Sequence, residues 1–435
     1  QGKMNYEDYQ HEIWCLKISD NPAVDEDEPN VFFGSSIHAR ETISLEVDMH
    51  IIYYLVENYG VNDSVTFWID NTQIWFIPLI NPDGHKLVIE QLYTSHRKNM
   101  RDNNNNNIPD YSTVDGVDLN RNFDFHWDGP YSSSSTTSES YRGTAPWSEP
   151  ETQYLRDLLQ AHKFYAGITY HSYGQVVLYP PGHQPSAMGY DHAAMSDLAT
   201  EMAATIPNID NNGYYSPQSA NTYLASGSMG DWGYGVERIF SFTIELSKAP
   251  YFHPPASWIQ PICEANLEAA LIMIDRVHKA VVTGNITDTA GNPLVAEVYV
   301  DEIDYQPGMS EVDPVRSGNT FGRYYRVLLP GTYNLSFVSE EFGQIEIPDV
   351  TVSSDSITQL NVVFGFEFAD SLSIEIIDDQ IILDWLSEPG YSYEVMSSSN
   401  PYNDFEVDET GFYVDENSWQ SEITEERRFF RVRRQ

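Results

Sequence analysis

Residues 30–59 read NVFFGSSIHARETISLEVDMHIIYYLVENY. The first six, Asn30–Ser35, are a short apolar run, which predicts a buried strand. From Glu41 to Tyr59 apolar residues recur at helical spacing, which predicts a helix. His38 and Glu41 lie between them, three residues apart. A His and a carboxylate at that spacing, with the carboxylate opening the helix, can both reach one metal ion. In a chain with 12 His the pair by itself is a chance-level motif. Its meaning depends on whether a third ligand, a base and an anion-binding set follow.

The strand-then-helix pattern continues outward. Further strand-like runs are Glu12–Ser19, Gln73–Ile80, Tyr165–Tyr170, Gln175–Tyr179 and Phe240–Leu246. Helical runs are Ser148–His162, Ala187–Ile206 and Pro255–Thr283. This alternation predicts an α/β domain over residues 1–280, with a mixed, largely parallel central sheet and helices on both faces. Ligands in such sheets bind beyond the carboxyl ends of strands. His38, His171 and Glu245 each fall at or just past such an end. After residue 280 the pattern changes to short strands and turns with no strong helix. Two small all-β sandwich domains are predicted, 281–364 and 365–435.

With 435 residues and 41% hydrophobic side chains, the chain can bury a large core. No run of about 18 apolar residues occurs, so no membrane span is expected. The net charge of −42 repels phosphates and argues against nucleic acid as a partner. It suits a solvated, secreted protein, or a funnel for cationic substrates. Gln1 in place of an initiator Met suggests a processed or truncated product, with any signal peptide already gone. Cys15, in an apolar run, and Cys263, in a helical run, read as two buried free thiols, a single bridge being the alternative.

Catalytic zinc takes three protein ligands and leaves a position open for water. His171, ending the run Ala166–Tyr170, is the candidate third ligand. Glu245 stands in the apolar strand Phe240–Leu246, where ionisation is costly unless the carboxylate is paired or used. The alternatives are a buried salt bridge and a general base. In Asp115–Phe123, Asn120-Arg121 supplies donors that can clamp a carboxylate, the alternative being an ordinary polar loop.

Taken in order, His38-x-x-Glu41, Asn81-Pro82-Asp83-Gly84, Arg97, Asn120-Arg121, His171-Ser172-Tyr173, Tyr223 and Glu245 resemble the zinc metallocarboxypeptidases of the carboxypeptidase A/B type. The resemblance implies that His38, Glu41 and His171 hold one Zn2+ and that Glu245 is the general base and acid. It implies that Arg97 stabilises the oxyanion and that Asn120, Arg121 and Tyr223 grip the substrate's terminal carboxylate. Arg40 resembles an auxiliary arginine lining the cleft, and Asp118 the carboxylate that orients the first zinc His. The implied reaction is hydrolysis of the C-terminal peptide bond of peptides or proteins by a secreted monomer. The pocket for the departing residue would include Leu178, Gly182, Gln218, Ala225, Ser228, Gly230 and Thr243. Gly230 stands where a specificity charge often sits, so a neutral floor and apolar, aromatic or broad C-terminal residues are expected. Basic C-terminal residues, γ-glutamyl or peptidoglycan amides, and a non-catalytic binding relative are the competing readings. The complete ligand and base set disfavours the last.

Four features depart from, or extend, that pattern. The family usually has a helix and a strand before the segment that Gln1-Gly2-Lys3 resembles, so apolar surface should be exposed there. Asp102, Asn104, Asn106 and Asp110 resemble positions 1, 3, 5 and 9 of a Ca2+ loop, with Asn107 replacing the Gly and Thr113 the bidentate Glu. A polar surface loop is the alternative. Region 281–364, with Gly322-Arg323-Tyr324 and Gly331-Thr332-Tyr333, resembles a transthyretin-like sandwich. Region 365–435 resembles a fibronectin type III-like module.

Overall fold

The computed structural model describes residues 10–434 apart from 111–113, 186–187, 221–222, 310–311, 366, 369–371, 378–379, 386–391, 400–404, 413–417 and 423–428. Gln1–Lys3 and Thr113 therefore lie outside the described residues. The chain divides into two compact units. One comprises Gln1–Ile286, Pro293–Val338 and Gln344–Val362, and the other Thr287–Asn292, Ser339–Gly343 and Val363–Gln435.

The first unit is built on a seven-stranded mixed sheet. Its strands are β1 (Leu16–Ile18), β2 (Asn30–Ser35), β3 (Gln73–Ile77), β4 (Phe164–Ser172), β5 (Val176–Tyr179), β6 (Ser216–Ser219) and β7 (Phe240–Leu246), in the order β1-β3-β2-β4-β7-β5-β6. The central pairs β3/β2, β2/β4 and β4/β7 are parallel, and β1/β3 and β5/β7 are antiparallel. Side chains alternate across the sheet as strand geometry requires. Val31, Phe33, Ile74 and Phe76 face one apolar layer, and Phe32, Trp75 and Ile77 face another.

Helices cover both faces. α1 (Ile43–Asn58), α2 (Asp63–Asp70), α5 (His192–Thr205) and α7 (Ala256–Arg276) pack on the first layer. α4 (Pro150–Ala161) and α6 (Met229–Gly235) pack on the second. α3 (Pro82–Ile89) begins at Asn81, whose side chain accepts the Gly84 N–H, with Pro82 opening the helix. β2 runs on to its neighbour β3 on one side, while β4 lies on the other. The carboxyl ends of β2 and β4 thus meet where the winding reverses.

The expected fold is present, with corrections at its edges. Asn30–Ser35 and Phe240–Leu246 form strands as expected. Only Leu16–Ile18 of the run Glu12–Ser19 pairs, since β1 is the sheet edge. The last helix stops at Arg276. Ala280 then takes a positive φ of 53°, and the β-branched pair Val281-Val282 starts a strand. Ala187–Ile206 is helical only from His192. The helices α2, α3 and α6 and the strand β6 were not expected. α6, MGDWGYG, is rich in Gly and is held by burial of Trp232 and Tyr234. Cys15 is exposed beside the edge strand rather than buried, whereas Cys263 is buried in α7, and both are free. Trp14 and Tyr154 are exposed along a cleft lined by Ile13, Ile77, Leu155 and Leu158.

Within the same unit, β9 (Glu297–Val300) pairs antiparallel with β10 (Val315–Arg316) and β12 (Gly331–Ser339). β11 (Arg323–Val327) pairs antiparallel with β8 (Val281–Asp288). The second unit holds two further antiparallel sheets around Leu383, Tyr393, Val395 and Val432. No described helix is long and apolar enough to cross a membrane.

Candidate active site

His38 follows β2 in a tight turn before α1. Ser36 holds φ 54° there, and the Ser36 N–H donates to Ser44 Oγ. Asn81 braces the same turn, donating to the Ile37 and Lys98 carbonyls. Glu41 sits at the mouth of α1, and His171 lies near the end of β4. Glu41 Oε1 is 2.9 Å from His38 Nδ1, Glu41 Oε2 is 3.0 Å from His171 Nδ1, and the two Nδ1 atoms are 3.1 Å apart. All three residues are buried. Their ligand atoms lie within 4.8 Å of one another.

The chemistry of this donor set fits a cation. Asp118 Oδ1 lies 3.1 Å from His38 Nε2, so that nitrogen donates its proton and Nδ1 carries a lone pair. The lone pair then faces a carboxylate oxygen and a second imidazole nitrogen. With His171 Nδ1 as a third acceptor, a cation shared by the three groups would satisfy the set. Two imidazole nitrogens and a carboxylate oxygen are a zinc ligand set.

Asp118 caps the short turn Leu119–Arg121 and also pairs with Arg97, whose Nε and Nη2 each lie 3.0 Å from Asp118 Oδ2. Arg97 Nη1 lies 3.6 Å from Glu41 Oε1. Burial alone would raise the Asp118 carboxyl, but Arg97, Arg121 and His38 hold it well below the usual range. Glu41 is likewise held low against burial, by His38 and His171. Glu245 goes the other way. It is the β7 neighbour of His171 in register, and burial, then Glu41, raises its carboxyl. Neighbouring carboxylates driven apart in this way suit separate roles as ligand and proton carrier.

His38, Arg97, Asn120, Arg121, His171, Tyr223, Gly230 and Glu245 line one cleft, together with Leu178, Ala225, Ser228 and Thr243. Asn120 Oδ1 accepts the Met229 N–H at 2.8 Å, which ties the Asn120-Arg121 turn to α6. Gly227 makes this docking feasible. At φ +69° its backbone passes so close that a Cβ would lie 2.6 Å from the Arg121 carbonyl oxygen. At Gly230 an added Cβ would meet nothing nearer than Thr243 Oγ1 at 3.8 Å, so the floor is open.

Some expected residues stand elsewhere. Arg40 is not in the cleft lining; it bonds Glu139 and the Ser95 carbonyl and stacks on Phe252. Gly182 and Gln218 do not line the cleft either. Sequence reasoning missed Tyr179, Pro180, Ala220 and Asp231, which do. Asp231 follows Gly230 directly, but its Oδ1 is taken by the Gly182 N–H at 2.8 Å. The Asp102–Asp110 loop closes on itself. Asp102 accepts the Asn106 and Asn107 N–H groups, and Asp110 accepts the side chains of Asn104 and Asn106. Its acceptors are thus engaged within the loop, and nothing observed supports calcium there.

Residues 9–269 match the family model described as zinc carboxypeptidase. A zinc carboxypeptidase of Saccharothrix mutabilis subsp. capreolus is 34% identical over 56% of this chain and 56% of its own length. Carboxypeptidase B of Helicoverpa zea is 32% identical over 60% of this chain and 61% of its own. The crystal structure of carboxypeptidase A from Helicoverpa armigera superposes with a TM-score of 0.53 at 26% identity, covering 62% of this chain and 66% of that one. The chain therefore spans about three-fifths of the length of the curated relatives it matches.

Proposed function

Because this chain belongs to the zinc carboxypeptidase family, we propose that it hydrolyses the C-terminal peptide bond of peptides or proteins, with His38, Glu41 and His171 holding one zinc ion. The observation that carries this reading is the convergence of those three ligands, two of which, His38 and His171, line the cleft that also holds Glu245 and Arg121. Zinc, when bound, supplies Lewis acidity and a water acidic enough to react near neutral pH.

Each remaining step belongs to a residue of the chain. Arg121, Asn120 and Tyr223 clamp the terminal carboxylate, which places the last peptide bond beside Glu245. Glu245 accepts a proton from the attacking water and returns it to the leaving amine nitrogen. Its raised carboxyl makes it a competent carrier in both directions. Arg97 faces the carbonyl oxygen as it gains charge, and Asp118 keeps Arg97 and His38 aimed.

For the departing side chain we infer an apolar, aromatic or broad preference. The open floor at Gly230 and the neutral walls Leu178, Ala225 and Thr243 support it. Asp231 Oδ1 accepts the Gly182 amide and its Oδ2 lies 3.5 Å from His183 Nδ1, so the carboxyl is turned to its own neighbours rather than counted as a charge for a basic residue. Arg40, held by Glu139, serves at most as an outer lining of the cleft. We further propose that residues 281–364 are a transthyretin-like sandwich and 365–435 a fibronectin type III-like module. The acidic surface supports a secreted monomer.

Metal analysis of purified protein should give one zinc per chain. Glu245→Gln should keep that zinc and lose roughly 10²–10⁴-fold in kcat. Turnover retained in the variant would overturn the assigned base. Blocked dipeptides ending in Phe, Leu, Lys and Glu test the pocket, and cleavage of Lys faster than Phe would sink the apolar reading.

A further inference from the structure

α6 is a helix that its own sequence does not sustain. It spans seven residues, Met229–Gly235, and three of them are Gly. Helices this short are marginal in water, and Gly is a poor helix former. Yet the start of α6 brings Ser228, Gly230 and Asp231 to the cleft. Its Met229 N–H also holds the Asn120-Arg121 turn, through Asn120 Oδ1. The position of α6 therefore sets both the floor for the departing side chain and the proposed clamp for its carboxylate.

The other end of α6 is held by residues far along the chain. The Gly235 carbonyl accepts the Asp313 N–H at 2.7 Å. Arg238, just after the helix, donates through Nη1 to the Asp313 carbonyl at 3.0 Å. Tyr234 Oη donates to Asp191 Oδ2 and accepts the Asp191 N–H, both at 3.1 Å. Asp191 Oδ1 in turn accepts from Arg326 Nη2 at 3.2 Å. Val312 and Tyr325 belong to the apolar layer that includes Tyr234. Val312, Asp313, Tyr325 and Arg326 all lie beyond residues 9–269, which match the family model. They share one compact unit with α6.

We propose that the segment 312–326 braces α6, with Asp313 and Tyr234 as the positioning residues through which it acts on the substrate's C-terminal residue. The substrate half rests on the peptidase reading above, and the brace itself does not. His38 and Glu41 come from the turn between β2 and α1, and His171 from β4, so the metal ligands do not depend on α6. Loosening α6 should therefore weaken substrate binding, raise KM and spare kcat and zinc. Partial unfolding has a different signature. It lowers the active fraction, and with it the apparent kcat, and leaves KM alone.

The test uses the full zinc-loaded chain and a blocked dipeptide ending in Phe, well below the melting temperature. Asp313→Pro removes the N–H that bonds Gly235, and Asp313→Ala keeps it. Tyr234→Phe keeps the ring and removes the hydroxyl that bonds Asp191. Asp313→Pro and Tyr234→Phe should raise KM at least about fivefold, with kcat within about twofold and zinc content unchanged. Asp313→Ala should stay near wild type. A KM within about twofold of wild type in both variants would overturn the positioning role, as would a fall in kcat at unchanged KM. If Asp313→Ala behaves like Asp313→Pro, the amide is not the brace. If Asp313→Pro does not fold, Tyr234→Phe decides. Hydrogen exchange tests the brace without any substrate. Amides of α6 should exchange at least about tenfold faster in the two variants, while those of β4 keep their rates. Unchanged exchange in α6 would overturn the brace. Wild-type protein that cleaves no blocked dipeptide would refute the proposed function, and the exchange rates would still decide the brace.

Discussion

Arg326, Asp304, Asp191 and Arg238 form a closed set of ion pairs, whereas His38, Glu41 and His171 turn their acceptors toward one point. In the closed set, Arg326 lies 2.6 Å from Asp304 and 3.2 Å from Asp191, and Arg238 lies 2.5 Å from Asp191. Tyr234 donates to Asp191 as well, at 3.1 Å. Two cations meet two anions, three of the pairs are within hydrogen-bonding reach and Arg238 lies 3.7 Å from Asp304, and all four residues are nearly inaccessible. Such a cluster is neutral as it stands. The corner at His38 is equally buried but not self-sufficient, since its imidazole nitrogens and carboxylate compete for the same space. Burial is common to both regions, so burial does not mark function. An unbalanced convergence of acceptors does.

That contrast can be broken most forcefully at Arg326. Arg326→Met leaves Asp304 and part of Asp191 buried without a cation, which typically costs about 3–5 kcal/mol. Denaturant unfolding of the first unit should show that loss, with zinc affinity unchanged in whatever protein remains folded. Adding Asp304→Leu should recover part of the stability, because an apolar replacement of both partners removes the stranded charge. If Arg326→Met costs less than about 1 kcal/mol, the set is not the closed structural cluster its geometry implies.

Asp118→Asn probes the other side of the comparison. It keeps the size of the side chain but weakens the acceptor for His38 Nε2 and the partner of Arg97. Zinc affinity should fall by about 10–100-fold, the usual consequence of losing an outer partner of a metal His. Competition with a chromophoric chelator measures it. Unchanged affinity would mean that His38 is held by packing alone.

Glu151 is a third buried acid, in neither cluster, and gives a smaller, pH-dependent effect. Burial raises its carboxyl to about 7, above its ordinary 4.5. The folded state therefore holds the proton more tightly than the unfolded chain does. Stability is highest below about pH 4.5 for this group and declines as pH rises toward 7. Glu151→Gln removes the ionisation, so it should raise stability at pH 8 by on the order of 1–2 kcal/mol and leave it nearly unchanged at pH 4. Melting curves at the two pH values decide, and equal shifts at both would refute the assignment.

How much of this was legible follows from the range of each interaction. Asn30–Ser35 and Phe240–Leu246 were readable because a short apolar run, bounded by polar residues, is a local signal. His38 and Glu41, three residues apart, were readable as a pair, and His171, 133 positions away, was readable as a candidate from its place at the end of a strand-like run. α6 was missed because Gly-rich sequence has weak helix propensity and its packing is tertiary. The ion-pair set was invisible, since Asp191, Arg238, Asp304 and Arg326 carry no local pattern and meet only in the fold. The cleft wall was read by position; Gly182 and Gln218 stand one layer back, behind Ala220 and beside Leu178.

The smallest effect is expected in the Asp102–Asp110 loop, and it sharpens the rule about unbalanced acceptors. Four oxygen-bearing side chains at calcium-loop spacing looked like a cation site in one dimension. In the fold, the Asp102 oxygens accept the Asn106 and Asn107 amides at 3.3 and 2.9 Å, and Asp110 Oδ2 accepts the Asn104 and Asn106 side chains at 3.0 Å each. Donors within the loop already supply what a cation would. Millimolar calcium should therefore move the melting temperature by less than about 1 °C, since a ligand that does not bind the folded state cannot stabilise it. Asp102→Ala should cost no more than about 0.5–1 kcal/mol, because these bonds are exposed to water. A calcium-dependent rise in melting temperature that Asp102→Ala abolishes would show that the loop opens its oxygens to a cation after all. Internal balance would then be a poor guide to where this chain binds metal.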